Sequence, residues 1–160
     1  MKDLIVYVHG KDGSAQEAEH YKSLFPKDEV IGFDYRSQTP WQAKKEFLAF
    51  FTEQRGRCEH LTLVANSIGA FFALSSLDET LVDRAYFISP IVDMENLICN
   101  MMQWSGVTEQ ELALTSIETV SAFAKLHHAD LTVIPGGEHW FHTDEQMQFL
   151  DKWIRERSLN

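Results

Sequence analysis

Apolar residues in this chain fall into five short runs, separated by longer stretches where they recur every three or four positions. The runs are Leu4–Val8, Val30–Phe33, Leu61–Ala65, Ala85–Ser89 and Leu131–Ile134. The first reads L-I-V-Y-V with no polar alternation, as expected of a parallel strand buried on both faces. The intervening stretches predict helices. Ser14 is placed to cap a helix carrying Ala15, Ala18, Tyr21 and Leu24, which Pro26 closes. A second opens at Trp41, carries Phe47, Leu48, Phe50 and Phe51 on its buried side, and stops at Gly56. A third, from about Ser67 to Leu77, is apolar nearly all round and is expected at the centre of the fold. From Asp93 to Leu114 the pattern is again helical, with a stripe of Leu97, Ile98, Met101 and Met102 and a capping box at Thr108 and Glu111. A further box, Thr115 with Glu118, opens a helix through Val120, Phe123, Ala124 and His127. The last helix carries Met147, Leu150, Trp153 and Ile154.

Strands alternating with helices at this spacing predict an α/β fold, a three-layer sandwich whose mainly parallel sheet has helices on both faces. About five strands in the order 2-1-3-4-5 are expected. At 160 residues the chain is read as a single domain. Its net charge of −10 argues against nucleic acid and anionic membrane as partners, since no run of Lys and Arg offsets it. Cys58 and Cys99 match no metal or redox spacing, so a reduced, cytoplasmic setting is expected. The first residues already read as a strand rather than a signal peptide, and no apolar run reaches the roughly 20 residues that span a bilayer.

Candidate chemistry gathers on three loops. Leu61 to Ala70 reads L-T-L-V-A-N-S-I-G-A, the pattern of a nucleophile elbow that lifts the Ser67 hydroxyl above a parallel sheet. Gly69 trails the serine, but Ala65 stands where a glycine is usual. The competing reading is a strand-to-helix turn in which Ser67 only caps the helix. Parallel sheets bind ligands beyond the C-terminal ends of their strands, and the loops after the first, third and last runs carry His9-Gly10, Ser67 and His139. A serine hydroxyl needs a base within hydrogen-bond reach, for which His139 is the candidate. A tetrahedral intermediate also needs oxyanion donors, and the backbone N–H groups of Ile68 and of Lys11, just past Gly10, are placed for it. The loop Gly10-Lys11-Asp12-Gly13-Ser14 lacks the ending of a phosphate-binding loop. His127, His128 and His142 have no spacing that suggests a zinc site, so neither metal nor cofactor is expected. Met94, Met101, Met102 and Trp104 read as core filling, with an acyl-binding wall as the alternative.

Together these residues resemble the α/β-hydrolase fold serine hydrolases of the small, capless bacterial kind. His9-Gly10 matches the family's oxyanion loop, Ala65-Asn66-Ser67-Ile68-Gly69 its elbow, and Gly136-Gly137-Glu138-His139 its histidine loop, in the family's order. The resemblance implies a small ester or thioester substrate. It also exposes a departure. The family has one more strand between Ala85–Ser89 and Leu131–Ile134, whose loop carries the triad acid, and only Glu109 to Leu114 stands in its place here. Asp93, just past Ala85–Ser89, is the best substitute acid, although it also suits a helix cap. Glu118 is a weaker contender, already accounted for by its capping box. Losing the orienting carboxylate costs serine proteases about 10⁴ in turnover. The resemblance therefore leaves two readings open: an esterase using Ser67 and His139, or an impaired hydrolase that acts as a binder. A flavodoxin-like nucleotide binder fits the strand count but not the loops. Direct pairing of Leu131–Ile134 with Ala85–Ser89, or a second copy of the chain over the site, is expected to close the gap.

Overall fold

In the first strand, β1 (Leu4–Val8), every residue is buried, as an apolar run without alternation requires. A computed structural model of the protein describes residues 3–92, 117–137, 139, 141 and 143–158. Three further strands pair with β1 in parallel: β2 (Glu29–Phe33), β3 (Leu61–Asn66) and β4 (Arg84–Ile88). Their order in the sheet is β2-β1-β3-β4, the expected arrangement for these four. Register places Val8 beside both Phe33 and Ala65, and Ala65 beside Phe87. The four strands therefore end level, and the loops that follow them share one edge.

Helices cover both faces of this sheet. One face carries the register row Tyr7, Val64 and Tyr86. Tyr7 stacks at 4.9 Å on Tyr21 of the short helix α1 (Ala18–Tyr21). Tyr86 meets Trp153 of the C-terminal helix, α5 (Asp144–Ser158). His20 and Asp151 tie those two helices together at 2.7 Å. The other face carries Val8, Phe33, Ala65 and Phe87 and is covered by α2 (Pro40–Arg55) and α3 (Ile68–Ser76). Phe33, Phe47, Phe51 and Phe72 form its aromatic core, with ring centroids between 5.0 and 6.2 Å apart. Thr39 caps α2 by accepting from the Gln42 N–H, and Pro40 takes the first helical position, where its missing N–H costs nothing.

The chain divides into two compact units, Met1–Pro90 with His142–Asn160, and Ile91–Phe141. The first is the sandwich just described. In the second, α4 (Ile117–Leu126) ends where His128 takes a φ of 52°, and Gly136, at φ 70°, makes the turn that leads to His139.

Two expectations change. Residues 131–134 form no strand, so the sheet has four strands among the described residues rather than the five expected in the order 2-1-3-4-5. Leu131 and Val133 are 42% and 51% exposed, so this short run lacks the burial that marks the central strands β1 and β3. The expected first helix is also shorter: a 3-10 turn at Ala15–Glu17 leads into α1, and Leu24 lies in the turns beyond it. A Cβ on Gly32 would stand 2.0 Å from the Ala15 carbonyl oxygen, so that turn is pressed directly onto β2. Asp93, the stripe from Leu97 to Met102 and the Thr108 box lie outside the described residues.

Candidate active site

The level strand ends bring the loops after β1, β2 and β3 together. Ser67 joins β3 to α3 with φ 52° and ψ −120°, a conformation that only glycine adopts without strain. Two anchors hold it there. Its N–H donates to the Ile88 carbonyl at 2.9 Å, extending the ladder to β4, and its carbonyl accepts from the Phe71 N–H at 3.3 Å inside α3. Its side chain makes no capping hydrogen bond, so it does not do what the competing reading of this turn requires. Ser67 is 4% exposed.

Small residues make the elbow possible. A Cβ on Gly69 would lie 2.3 Å from the His9 carbonyl oxygen, so α3 passes directly against the end of β1. Gly10 lies against the serine: a Cβ there would stand 3.3 Å from the Ser67 Cβ. Ala65, where a glycine was the usual choice, is fully buried in β3. Ile68 opens α3, so its N–H belongs to the first turn that has no partner within the helix. Lys11 sits in the turn closed by the Gly13 N–H bonding the Gly10 carbonyl, with Asp12 at φ 60°.

The sequence named His9 only as part of a loop, but its side chain is a feature of the site. The ring is stacked at 4.4 Å on Tyr35, which follows β2, and the Tyr35 hydroxyl donates to the His9 carbonyl at 3.0 Å. Burial pushes the Tyr35 phenol well above its ordinary range, with Glu46 and Glu17 adding to the shift. His9 Nδ1 bonds the Gly10 carbonyl at 2.8 Å, while Nε2 is buried without a partner. Asn66, one residue before the serine, has its side-chain Oδ1 buried without a partner. No short-range pattern marks Tyr35, because it acts on His9, far from it in the chain.

Of the other predicted residues, His139 lies in a turn of the second unit and is half-buried. Glu118 lies in the first turn of α4. Asp93 and His142 lie outside the described residues. Among the described residues no three His, Cys, Asp or Glu side chains could hold a metal ion, and no helix is long and apolar enough to cross a membrane.

Solved structures share this fold. A carboxylesterase from Mesorhizobium loti superposes with a TM-score of 0.64 at 14% identity, over 96% of this chain and 88% of that one. An uncharacterized protein from Bacillus cereus ATCC 10987 gives the same TM-score at 17% identity, over 97% of this chain. The match spans 60% of that longer chain. No family model and no curated protein matches the sequence.

Proposed function

We propose that this chain hydrolyses carboxylic esters or thioesters, with Ser67 as the nucleophile and His139 as the base. The observation that carries this reading is the Ser67 backbone. Strain of about 1–3 kcal/mol in a non-glycine residue is enriched at active sites, and here it sits at a serine between strand and helix. The fold shared with a carboxylesterase supports the same class of reaction.

In this mechanism His139 takes the proton as Ser67 Oγ attacks the acyl carbonyl, and returns it to the leaving alcohol or thiol. The N–H groups of Ile68 and Lys11 receive the charge that develops on the carbonyl oxygen. Asp93 is the proposed carboxylate that orients His139. Water then attacks the acyl-enzyme by the same route and frees the acid.

A second reading is favoured by residues 131–134 forming no strand in the sheet. In that reading the chain is an impaired hydrolase that retains a cleft for binding. Fluorophosphonate labelling separates the two. The enzyme reading expects one adduct on Ser67, detected by mass spectrometry, and hydrolysis of short p-nitrophenyl esters that Ser67→Ala abolishes. A wild-type chain that takes no label, or activity surviving in Ser67→Ala, sinks the assignment.

A further inference from the structure

One peptide decides which way the expected oxyanion donor points. In a trans peptide the C=O and the following N–H face opposite ways, and no cis bond occurs among the described residues. The Gly10 carbonyl is held from two directions, by His9 Nδ1 at 2.8 Å and by the Gly13 N–H at 3.3 Å. The Lys11 N–H of the same peptide must therefore point away from both. A carbonyl oxygen can only accept, so Nδ1 carries the proton in this contact.

His9 is itself held at both ring and backbone. It stacks on Tyr35 with an interplanar angle of 14°, the Tyr35 hydroxyl grips its carbonyl, and Gly69 lets α3 close against that carbonyl. The ring is thus a rigid strut 8% exposed, with its one fixed donor spent on the peptide that precedes Lys11. Two hydrogen bonds within one turn orient that peptide better than the Gly13 contact could alone, because 3.3 Å lies at the long end of the range.

From this we infer that the His9 imidazole is a positioning residue: through Nδ1–H it fixes the Gly10–Lys11 peptide so that the Lys11 N–H faces the acyl oxygen on Ser67. The inference rests on the hydrolase reading above. It gives the ring a role distinct from core packing, since what matters is one donor and not the ring's volume.

Two variants and one spectrum test it. His9→Phe keeps the ring and its stacking but removes the donor, while His9→Asn places an amide N–H near the position of Nδ1. With a p-nitrophenyl ester, His9→Phe is expected to lower kcat about 10- to 100-fold with KM changed less than about twofold. His9→Asn is expected to recover most of that loss. Long-range ¹H–¹⁵N NMR of the wild-type protein is expected to show His9 protonated on Nδ1 with Nε2 bare. If His9→Phe does not fold, the spectrum and the His9→Asn kcat decide. A wild-type kcat in His9→Phe, a His9→Asn no better than His9→Phe, or a bare Nδ1 overturns the inference while leaving the hydrolase reading intact. A wild-type chain that neither labels nor hydrolyses brings down that reading and this inference together.

Discussion

Ser67 shows how one residue can work against stability. Its φ of 52° with ψ −120° costs about 1–3 kcal/mol for any side chain and almost nothing for glycine. Glycine loses about 0.5–1 kcal/mol more backbone entropy on folding than alanine does. The strain is the larger number, so Ser67→Gly is expected to stabilise the fold by about 1 kcal/mol, raising Tm by roughly 2–4 °C. Ser67→Ala keeps the strain and is expected to leave Tm nearly unchanged. Calorimetry on the two variants checks this, and equal melting temperatures would show that the turn is relaxed. His139 invites a complementary test. If Ser67 and His139 act as the proposed nucleophile and base, His139→Ala is expected to cost ester turnover as much as Ser67→Ala does, because such a pair acts as a unit. A turnover well above that of Ser67→Ala would give the base to another residue. The elbow was legible at this scale because a turn between strand and helix is a local matter, written in Asn66-Ser67-Ile68-Gly69. The stacking of His9 on Tyr35 was not, because the two rings belong to different strand ends.

Among the elements, α3 is held to β1 by one missing side chain. Alanine at position 69 would improve helix propensity by about 0.8–1.0 kcal/mol. Its Cβ would also sit 2.3 Å from the His9 carbonyl oxygen and 2.9 Å from Val8 Cγ1. Backbone cannot rotate away, and overpacking costs typically 1–3 kcal/mol. The clash outweighs the propensity, so Gly69→Ala is expected to lower Tm by several degrees and to weaken turnover by shifting the β1 loop. Thermal melts and p-nitrophenyl ester kinetics on this variant read both effects, and an unchanged Tm would refute the close approach. The start of α2 is a milder case. Thr39 Oγ1 accepts from Gln42 N–H at 3.4 Å, a long cap, so Thr39→Ala is expected to cost about 0.5–1 kcal/mol in urea unfolding. Strands β1 to β4 appear within a residue of where the apolar runs put them, and burial on both faces leaves the clearest mark in β1 and β3. The first helix is shorter than its pattern, and the close approach of the Ala15 backbone to Gly32 at its start is a contact no local pattern announces.

For the whole molecule, pH acts through the tyrosines. Burial raises the phenols of Tyr7, Tyr21 and Tyr35 above their ordinary value, with neighbouring tyrosine and acidic groups adding to it. Unfolded tyrosine ionises near pH 10. Above that pH the unfolded chain gives up protons that the folded chain keeps, so stability is expected to fall as pH rises beyond about 10 and to be insensitive to these groups below it. Ultraviolet titration and circular dichroism should therefore change together, and tyrosines ionising before the fold is lost would contradict their burial. The order of the four strands, the placement of helices on both faces and the edge that gathers His9-Gly10 and Ser67 all followed from the alternation of apolar runs with helical patterns and from turn residues. Those patterns are local, because each records what its own few residues can bury or bend. Residues 131–134 had the composition of a strand but form none, and Leu131 and Val133 stand exposed. The tertiary structure alone decided that outcome, together with the strain stored at Ser67, the clamp of Tyr35 on His9 and the direction of the Gly10 carbonyl. Each depends on groups that meet only after folding, and no single stretch of sequence encodes such a meeting.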